Sequence, residues 1–90
     1  MKPDAVSKEV ESYLGIKGEE IRRREQRYTE ARYVASLLLR RYCLMSLREI
    51  GERVGLHYSA VGNAITQVRD RTAASQARSL RALEGKFKNR

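Results

Sequence analysis

The side chains best suited to recognising a specific ligand lie between His57 and Thr66. They are small or able to form hydrogen bonds, and none of them is acidic: His57, Tyr58, Ser59, Gly62, Asn63 and Thr66. At this spacing most of them share one face of a helix. Hydroxyl, imidazole and amide groups can form hydrogen bonds with the edges of nucleic-acid bases. The set therefore predicts base recognition by the exposed face of a helix.

The segment before these residues predicts how that helix is held. Ser46 and Glu49 have the spacing of a capping box, in which each side chain satisfies a backbone amide at a helix start. Gly51, Gly55 and Val61 then provide a small residue where two helices cross, a residue that accepts a left-handed turn, and a branched apolar wedge. The inward apolar face of this pattern consists of Ile50, Val54, Leu56, Ala64, Ile65 and Val68. This combination is typical of a helix-turn-helix.

The predicted helix-turn-helix runs from Ser46 to about Arg71, and its second helix is expected to enter the major groove of DNA. Small helical hairpins with a glycine turn also occur in proteins that never contact nucleic acid, so a purely structural role is the alternative. Gly62 is unfavourable inside a helix by roughly 1 kcal/mol relative to alanine. Either close approach to DNA or a packing contact would explain this glycine.

The flanking sequence predicts an all-α fold, a small bundle of about five to six helices. Apolar stripes predict a first helix from about Asp4 to Leu14 and a central buried helix from Thr29, as the N-cap, to Tyr42. Between them, Ile16 to Tyr28 is predicted to form a short helical turn that runs into a basic loop. A final basic helix from about Ser75 to Lys86 is expected to pack on the core, pair with another subunit or lie on phosphate.

Charge and length limit the possible functions. The chain has 90 residues, with 19 Lys and Arg against 11 Asp and Glu, which gives a formal net charge of +8. This excess favours a polyanionic partner, nucleic acid first and an anionic membrane second. We expect one DNA-binding domain over residues 1–90, with its core at about 4–71 and a basic helix or tail at 72–90.

The sequence offers no arrangement of residues for catalysis. Cys43 is the only cysteine and His57 the only histidine, which excludes an intramolecular disulfide and a Cys/His zinc cluster. A phosphate-binding glycine loop is also absent. No serine or cysteine has a second histidine that could act as its base. We expect no enzyme activity, metal or cofactor. Because no run of about 18 apolar residues and no signal-peptide pattern occurs, we expect a cytoplasmic protein with no membrane partner.

Three segments carry a family resemblance: Tyr13-Leu-Gly-Ile, Ala31-Arg-Tyr-Val-Ala and Ser46-Leu-Arg-Glu-Ile-Gly. In this order they resemble the C-terminal DNA-binding domain of the replication initiator DnaA. The similarity spans about Val6 to Arg71 and implies a fold related to that of the Trp repressor.

The resemblance changes after Gly55. The initiator family has Gly-Arg-Asp-His-Thr-Thr-Val there, whereas this chain has Leu56-His-Tyr-Ser-Ala-Val and is one residue shorter. The turn is more similar to that of the DnaA-like domain of REP-associated tyrosine transposases, in which Gly-x-x-Tyr-Ser-Ala-Val is usual. This resemblance implies an accessory DNA-binding domain that serves an attached or separate catalytic domain.

The resemblance also assigns roles to individual residues. It places Tyr58, Ser59 and Asn63 against bases and the basic loop against phosphates or the minor groove of duplex or hairpin DNA. The arginines predicted to contact the DNA backbone or minor groove are Arg22, Arg23, Arg24, Arg27, Arg32, Arg48 and Arg69. An ordinary solvated surface is the alternative for the arginine run. For the whole chain, an RNA-binding module and a helical protein-interaction module are the alternatives.

Overall fold

The described part of the chain, residues 2–23, 28–70 and 74–88 of this computed structural model, contains five α-helices and one 3₁₀ helix. In chain order these are α1 (Pro3–Leu14), the 3₁₀ helix (Gly18–Arg22), α2 (Thr29–Cys43), α3 (Leu47–Val54), α4 (Tyr58–Arg69) and α5 (Ala74–Lys88). No β-strand occurs among these residues. The predicted all-α fold is confirmed, and the predicted bounds of α1, α2 and α5 agree with the observed ones to within two residues.

Proline and glycine bound α1 as the sequence predicts. Pro3 occupies the first turn, where its missing N–H is not needed. Gly15 follows the helix in the left-handed conformation, with φ 69°, and its N–H donates to the carbonyl of Glu11. Val6 and Val10, one turn apart, are fully buried. The helix therefore ends one turn after its last buried residue, at a glycine that accepts the left-handed conformation.

The centre of the bundle is α2, against which all four other α-helices pack. Its buried residues extend from Ala31 to Leu39 and occupy more than one face. The helix begins at Thr29, and the preceding Tyr28 occupies the N-cap position without a side-chain hydrogen bond, so the prediction of Thr29 as the cap is wrong by one residue. Tyr28 is itself buried, and its hydroxyl donates to Glu20 Oε2 over 2.6 Å. Burial of the Tyr28 ring and its hydrogen bond to Glu20 therefore fix the start of α2.

Of the roles that the sequence left open for the final helix, the structure shows packing on the core. Leu80, Leu83 and Phe87 lie at helical spacing and are buried, and α5 packs against α1 and α2. The Phe87 ring lies 5.2 Å from the ring of Tyr42, whose hydroxyl donates to Glu84 Oε2 over 3.2 Å. Burial, together with the charge of Glu84, raises the pKa of Tyr42 above its usual value. The final helix is thus part of the core.

Candidate nucleic-acid interface

A capping box starts α3, as predicted. The N–H of Glu49 donates to Ser46 Oγ over 3.2 Å, and the N–H of Ser46 donates to Glu49 Oε1 over 3.1 Å. The backbone N–H of Ser46 and then its hydroxyl stabilise the carboxylate, which lowers the pKa of Glu49. These two local contacts fix where the first helix of the pair begins.

The turn between α3 and α4 depends on two glycines. A Cβ atom on Gly51 would lie 2.3 Å from the carbonyl oxygen of Leu56, so any larger residue would force the backbone to move. Gly55 adopts φ 79°, and its N–H donates to the carbonyl of Gly51 over 2.8 Å. Val61 is fully buried beside this crossing. The small residue, the left-handed turn and the apolar wedge of the predicted helix-turn-helix are all confirmed.

Gly55 has a second role that the sequence did not reveal. A Cβ atom there would lie 2.9 Å from both the Cα and the carbonyl oxygen of Arg22. The 3₁₀ helix therefore lies directly against the turn of the helix-turn-helix. The contact joins residues 33 positions apart (55 − 22), so no local sequence signal could have indicated it. It places Arg22 and Arg23, both exposed, beside the turn.

The start of α4 is capped by His57. The N–H of Ser59 donates to His57 Nδ1 over 3.3 Å, and Ser59 Oγ lies 2.9 Å from the same nitrogen. The Nδ1 atom is thus the acceptor that caps the helix. The imidazole also lies against Tyr58, with ring centroids 4.4 Å apart, and half of the Tyr58 surface is exposed. Sequence reasoning missed the cap because Ser, Thr, Asp and Asn are the usual cap residues.

The outward face of α4 carries the remaining predicted base-reading residues. Ser59, Asn63 and Thr66 are exposed and Gly62 is half-buried, and the opposite face, formed by Val61, Ala64 and Val68, is fully buried. The face that the sequence predicted as exposed is therefore available on the folded domain.

The hydrogen-bonding capacity of this face differs from residue to residue. Thr66 Oγ1 donates to the Gly62 carbonyl over 3.1 Å, so its hydroxyl can still accept and its methyl group is free to make contacts. Ser59 is engaged with His57. The side-chain amide of Asn63 forms no hydrogen bond with any described residue. Its amide therefore keeps both donor and acceptor for a ligand.

Most of the described arginines that were predicted to contact the DNA backbone are accessible. Arg48 is exposed on α3 and lines a surface hollow together with His57 and Tyr58. Arg69 is exposed near the end of α4, with its Nε 3.7 Å from the carboxylate of Asp70. Two further predicted contacts, Arg24 and Arg27, lie outside the described residues, as does the predicted end of the motif at Arg71.

Arg32 corrects the sequence prediction. Only 6% of its surface is exposed, and its guanidinium is turned inward. NH1 donates to the carbonyl oxygens of Arg23 and Ile21, and NH2 donates to Thr29 Oγ1 over 3.1 Å. Buried carbonyls need donors, and a guanidinium has five. The predicted phosphate contact of Arg32 is therefore wrong: this side chain joins the 3₁₀ helix to α2.

Comparison with known families agrees with this architecture. The family described as bacterial dnaA protein helix-turn-helix matches residues 3–68 of the chain. The chain belongs to this family. Searches among curated proteins and among solved structures gave no match.

The extent of the family match follows the elements of the fold. Residues 3–68 comprise α1, the 3₁₀ helix, α2, α3 and all but the last residue of α4, whereas α5 lies beyond the match. The DnaA-like helix-turn-helix inferred from the sequence is thus confirmed. The resemblance to domains of tyrosine transposases stays a prediction.

None of the helices in the described part of the chain is long and apolar enough to cross a membrane. Within the same residues, His, Cys, Asp and Glu side chains form no group of three that could hold a metal ion.

Proposed function

We propose that this chain binds duplex DNA in a sequence-specific manner, with the N-terminal half of α4 in the major groove. The observation that carries the proposal is the outward face of α4. It presents uncharged hydrogen-bonding groups, while Val61, Ala64 and Val68 anchor the opposite face in the core. Membership of the DnaA helix-turn-helix family supports DNA binding as the general activity. In this class of motif, the second helix reads base edges through its first turns.

The proposal gives different tasks to different side chains. Asn63, whose side-chain amide has no partner among the described residues, is suited to a bidentate contact with adenine, and Thr66 can accept from a base amino group or contact a thymine methyl. Tyr58 offers a half-exposed ring at the start of the helix. Arg22, whose backbone lies against Gly55, and Arg48, which lines a hollow with His57 and Tyr58, are suited to phosphate contacts that position α4. Affinity then comes mainly from the arginines, and sequence preference from α4.

An RNA-binding role is the alternative that the experiment must address. Proteins that bind unpaired strands stack successive bases on several aromatic side chains. In the described part of the chain the exposed aromatic rings are Tyr13 on α1 and the adjacent pair His57 and Tyr58 at the start of α4. One such pair and a single ring on another helix do not make a continuous stacking surface. This arrangement favours duplex DNA.

We extend the proposal to the biological context of the domain. The family supports a replication-initiator-like role, and the Tyr58-Ser-Ala-Val61 turn favours an accessory domain of a transposase-like protein. In either case the domain would bring a catalytic or remodelling partner to a defined DNA site.

The proposal is tested by selection from a randomised duplex pool at near-physiological salt, with an equivalent RNA pool in parallel. We expect enrichment of one short duplex motif and none in RNA. Asn63→Ala is expected to weaken binding to the enriched site by about 10-fold, because a good base contact contributes about 1–3 kcal/mol of discrimination. Ser12→Ala, on the exposed surface of α1, is the matched control and is expected to leave binding unchanged. Equal binding to all sequences would contradict the proposal.

A further inference from the structure

Helix α5 presents a basic surface that neither the helix-turn-helix nor the family match accounts for. Its inner side is fixed by Leu83 and Phe87 in the core and by Ser79, whose hydroxyl donates to Glu30 Oε2 over 3.2 Å. The matched region ends at residue 68, before α5 begins. Helix α5 therefore lies beyond the family match, and its outer face is not part of the helix-turn-helix.

The acidic groups in and next to α5 form ion pairs on its inner and flanking sides. Glu84, the one acidic residue in the sequence of α5, lies 2.8 Å from the guanidinium of Arg41. Lys86 Nζ lies 3.5 Å from a carboxylate oxygen of Glu9 on α1. These pairs hold α5 to its neighbours. They leave the outer face with its positive charge.

Two arginines and a glycine share the outer face of α5, because they are three and four residues apart in the helix. Arg78 and Arg81 are exposed and form no ion pair with any described residue, and Gly85 continues the same line one turn further. We call these three residues the α5 stripe. A Cβ atom on Gly85 would meet no atom within 4 Å, so packing inside the chain does not require glycine there. Glycine is unfavourable in a helix, but it lets an extended ligand come closer to the helix surface.

We propose that the α5 stripe binds the phosphodiester backbone of duplex DNA outside the base pairs that α4 reads. The inference rests on the proposed function and adds a second DNA contact to it. The two surfaces are separate, because α4 packs against α2 and α3 whereas α5 packs against α1 and α2. Guanidinium groups bind phosphate regardless of sequence, so this contact adds affinity and no sequence preference.

DNA fits this surface better than a lipid bilayer does. A helix that lies on a membrane inserts its apolar face among the acyl chains. The apolar face of α5, formed by Leu80, Leu83 and Phe87, is already buried in the core. What remains for a partner is a narrow line of charge with a gap at Gly85, which suits a phosphate backbone.

The experiment removes the two charges and measures binding on duplexes of two lengths. Arg78→Gln/Arg81→Gln is compared with Lys2→Gln/Lys8→Gln, which removes the same charge from exposed positions beside and on α1. Each protein is titrated, over a range of salt, with a duplex that just spans the selected site and with one several times longer. Urea unfolding checks that both double variants remain folded.

For the arginine variant we expect weaker binding to the long duplex, with a salt slope reduced by about two, since each phosphate contact contributes a slope of about −0.9. Binding to the short duplex and preference for the selected site are expected to stay unchanged. The lysine variant is expected to behave like the wild type on both duplexes. Gly85→Ala is expected to raise the melting temperature and to weaken binding to the long duplex only.

Other results separate the possible failures. If the wild type selects no site and shows no salt-dependent binding to either duplex, the proposed function fails. If Asn63→Ala loses site preference as expected but the arginine variant binds the long duplex like the wild type, the inference alone is wrong. An equal loss in the arginine and lysine variants would also overturn it, because only total charge would matter. The stripe would be assigned to a membrane instead if the arginine variant lost the binding to vesicles of anionic lipid that the wild type shows, while its binding to DNA stayed unchanged.

Discussion

Helices α4 and α5 both pack an apolar stripe against α2, but they expose opposite kinds of chemistry. The outer face of α4 presents Ser59 and Asn63, which are uncharged and form hydrogen bonds, whereas the outer face of α5 presents Arg78 and Arg81. Uncharged donors and acceptors discriminate between base edges, and guanidinium groups attract any phosphate. The same mode of packing thus supports one face suited to sequence preference and another suited to affinity.

The glycines of α3, α4 and α5 differ in whether packing requires them. Gly51 is required by packing, because a Cβ atom there would meet the backbone of the turn. Gly62 on α4 and Gly85 on α5 are not: a Cβ atom would lie 3.8 Å from Leu47 Cδ1 in the first case and meet nothing within 4 Å in the second. Both helices therefore carry an exposed or half-exposed glycine that the fold does not need. Close approach of DNA would account for each.

The largest effect is expected from removing the anchor of α5. Leu83 is fully buried, and Leu→Ala at such a position costs about 2–5 kcal/mol in the free energy of unfolding. Urea titration of Leu83→Ala checks this. Arg81→Ala, two residues earlier on the exposed side, is the control and should change stability by less than about 0.5 kcal/mol. A small loss for Leu83→Ala would show that α5 is an appended tail, and the comparison of two packed helices would fail.

Gly51→Ala is expected to have the next largest effect. The added methyl group would lie 2.3 Å from the Leu56 carbonyl oxygen, and overpacking of this kind costs about 1–3 kcal/mol. Because the backbone of the turn must move, α4 will also be displaced relative to α3. Thermal unfolding measures the loss of stability, and DNA binding at a temperature where the variant is folded measures the displacement. Wild-type stability would contradict the tight crossing of these helices.

Gly62→Ala is expected to change stability and DNA binding in opposite directions. Alanine is a better helix residue by about 1 kcal/mol, and the space at Gly62 admits a methyl group, so the free energy of unfolding should rise. If DNA approaches the helix here, affinity for the selected site should fall. Chemical denaturation and titration with the selected duplex test the two parts separately. Improved stability with unchanged affinity would remove Gly62 from the recognition surface.

The smallest effect concerns the capping box of α3. Hydrogen bonds from Ser46 lower the pKa of Glu49 in the folded protein, so ionised Glu49 stabilises the fold above its unfolded pKa of about 4.3. The contribution is lost as the pH falls through the lower folded value. Compared with Glu49→Gln, the wild type should therefore gain stability between acidic and neutral pH. Equal pH dependence of unfolding in the two proteins would contradict this linkage.

The sequence predicted the helix-turn-helix well, and the reason is local. The capping box joins Ser46 and Glu49, three residues apart, and the turn joins Gly51 and Gly55, four residues apart. Such contacts leave a recognisable spacing in the chain. Burial of Val61 followed from its spacing in the helix-turn-helix motif, which is also local. The predicted outer face of α4 is exposed for the same reason.

The arginines could not be sorted by the same reasoning. Arg23 and Arg32 look alike in the sequence, yet the first is exposed and the second is buried with its guanidinium on backbone carbonyls. The difference arises because α2 is covered on several sides, so one of its polar residues must satisfy the carbonyls of the segment that covers it. Periodicity predicts which face of a helix is buried but not which neighbouring backbone needs a donor.

By itself, the sequence determined the five described α-helices, the glycine that ends α1, the capping box of α3 and the glycine turn, because these depend on residues within about one helical turn of each other. The tertiary structure decided the burial of Arg32, the contact of Gly55 with Arg22, and the packing of α5 through pairs such as Tyr42 and Glu84, 42 residues apart. These depend on which surfaces meet when the helices assemble. Distant surfaces impose no spacing on the sequence, so only the assembled bundle shows which basic side chains remain free to meet DNA.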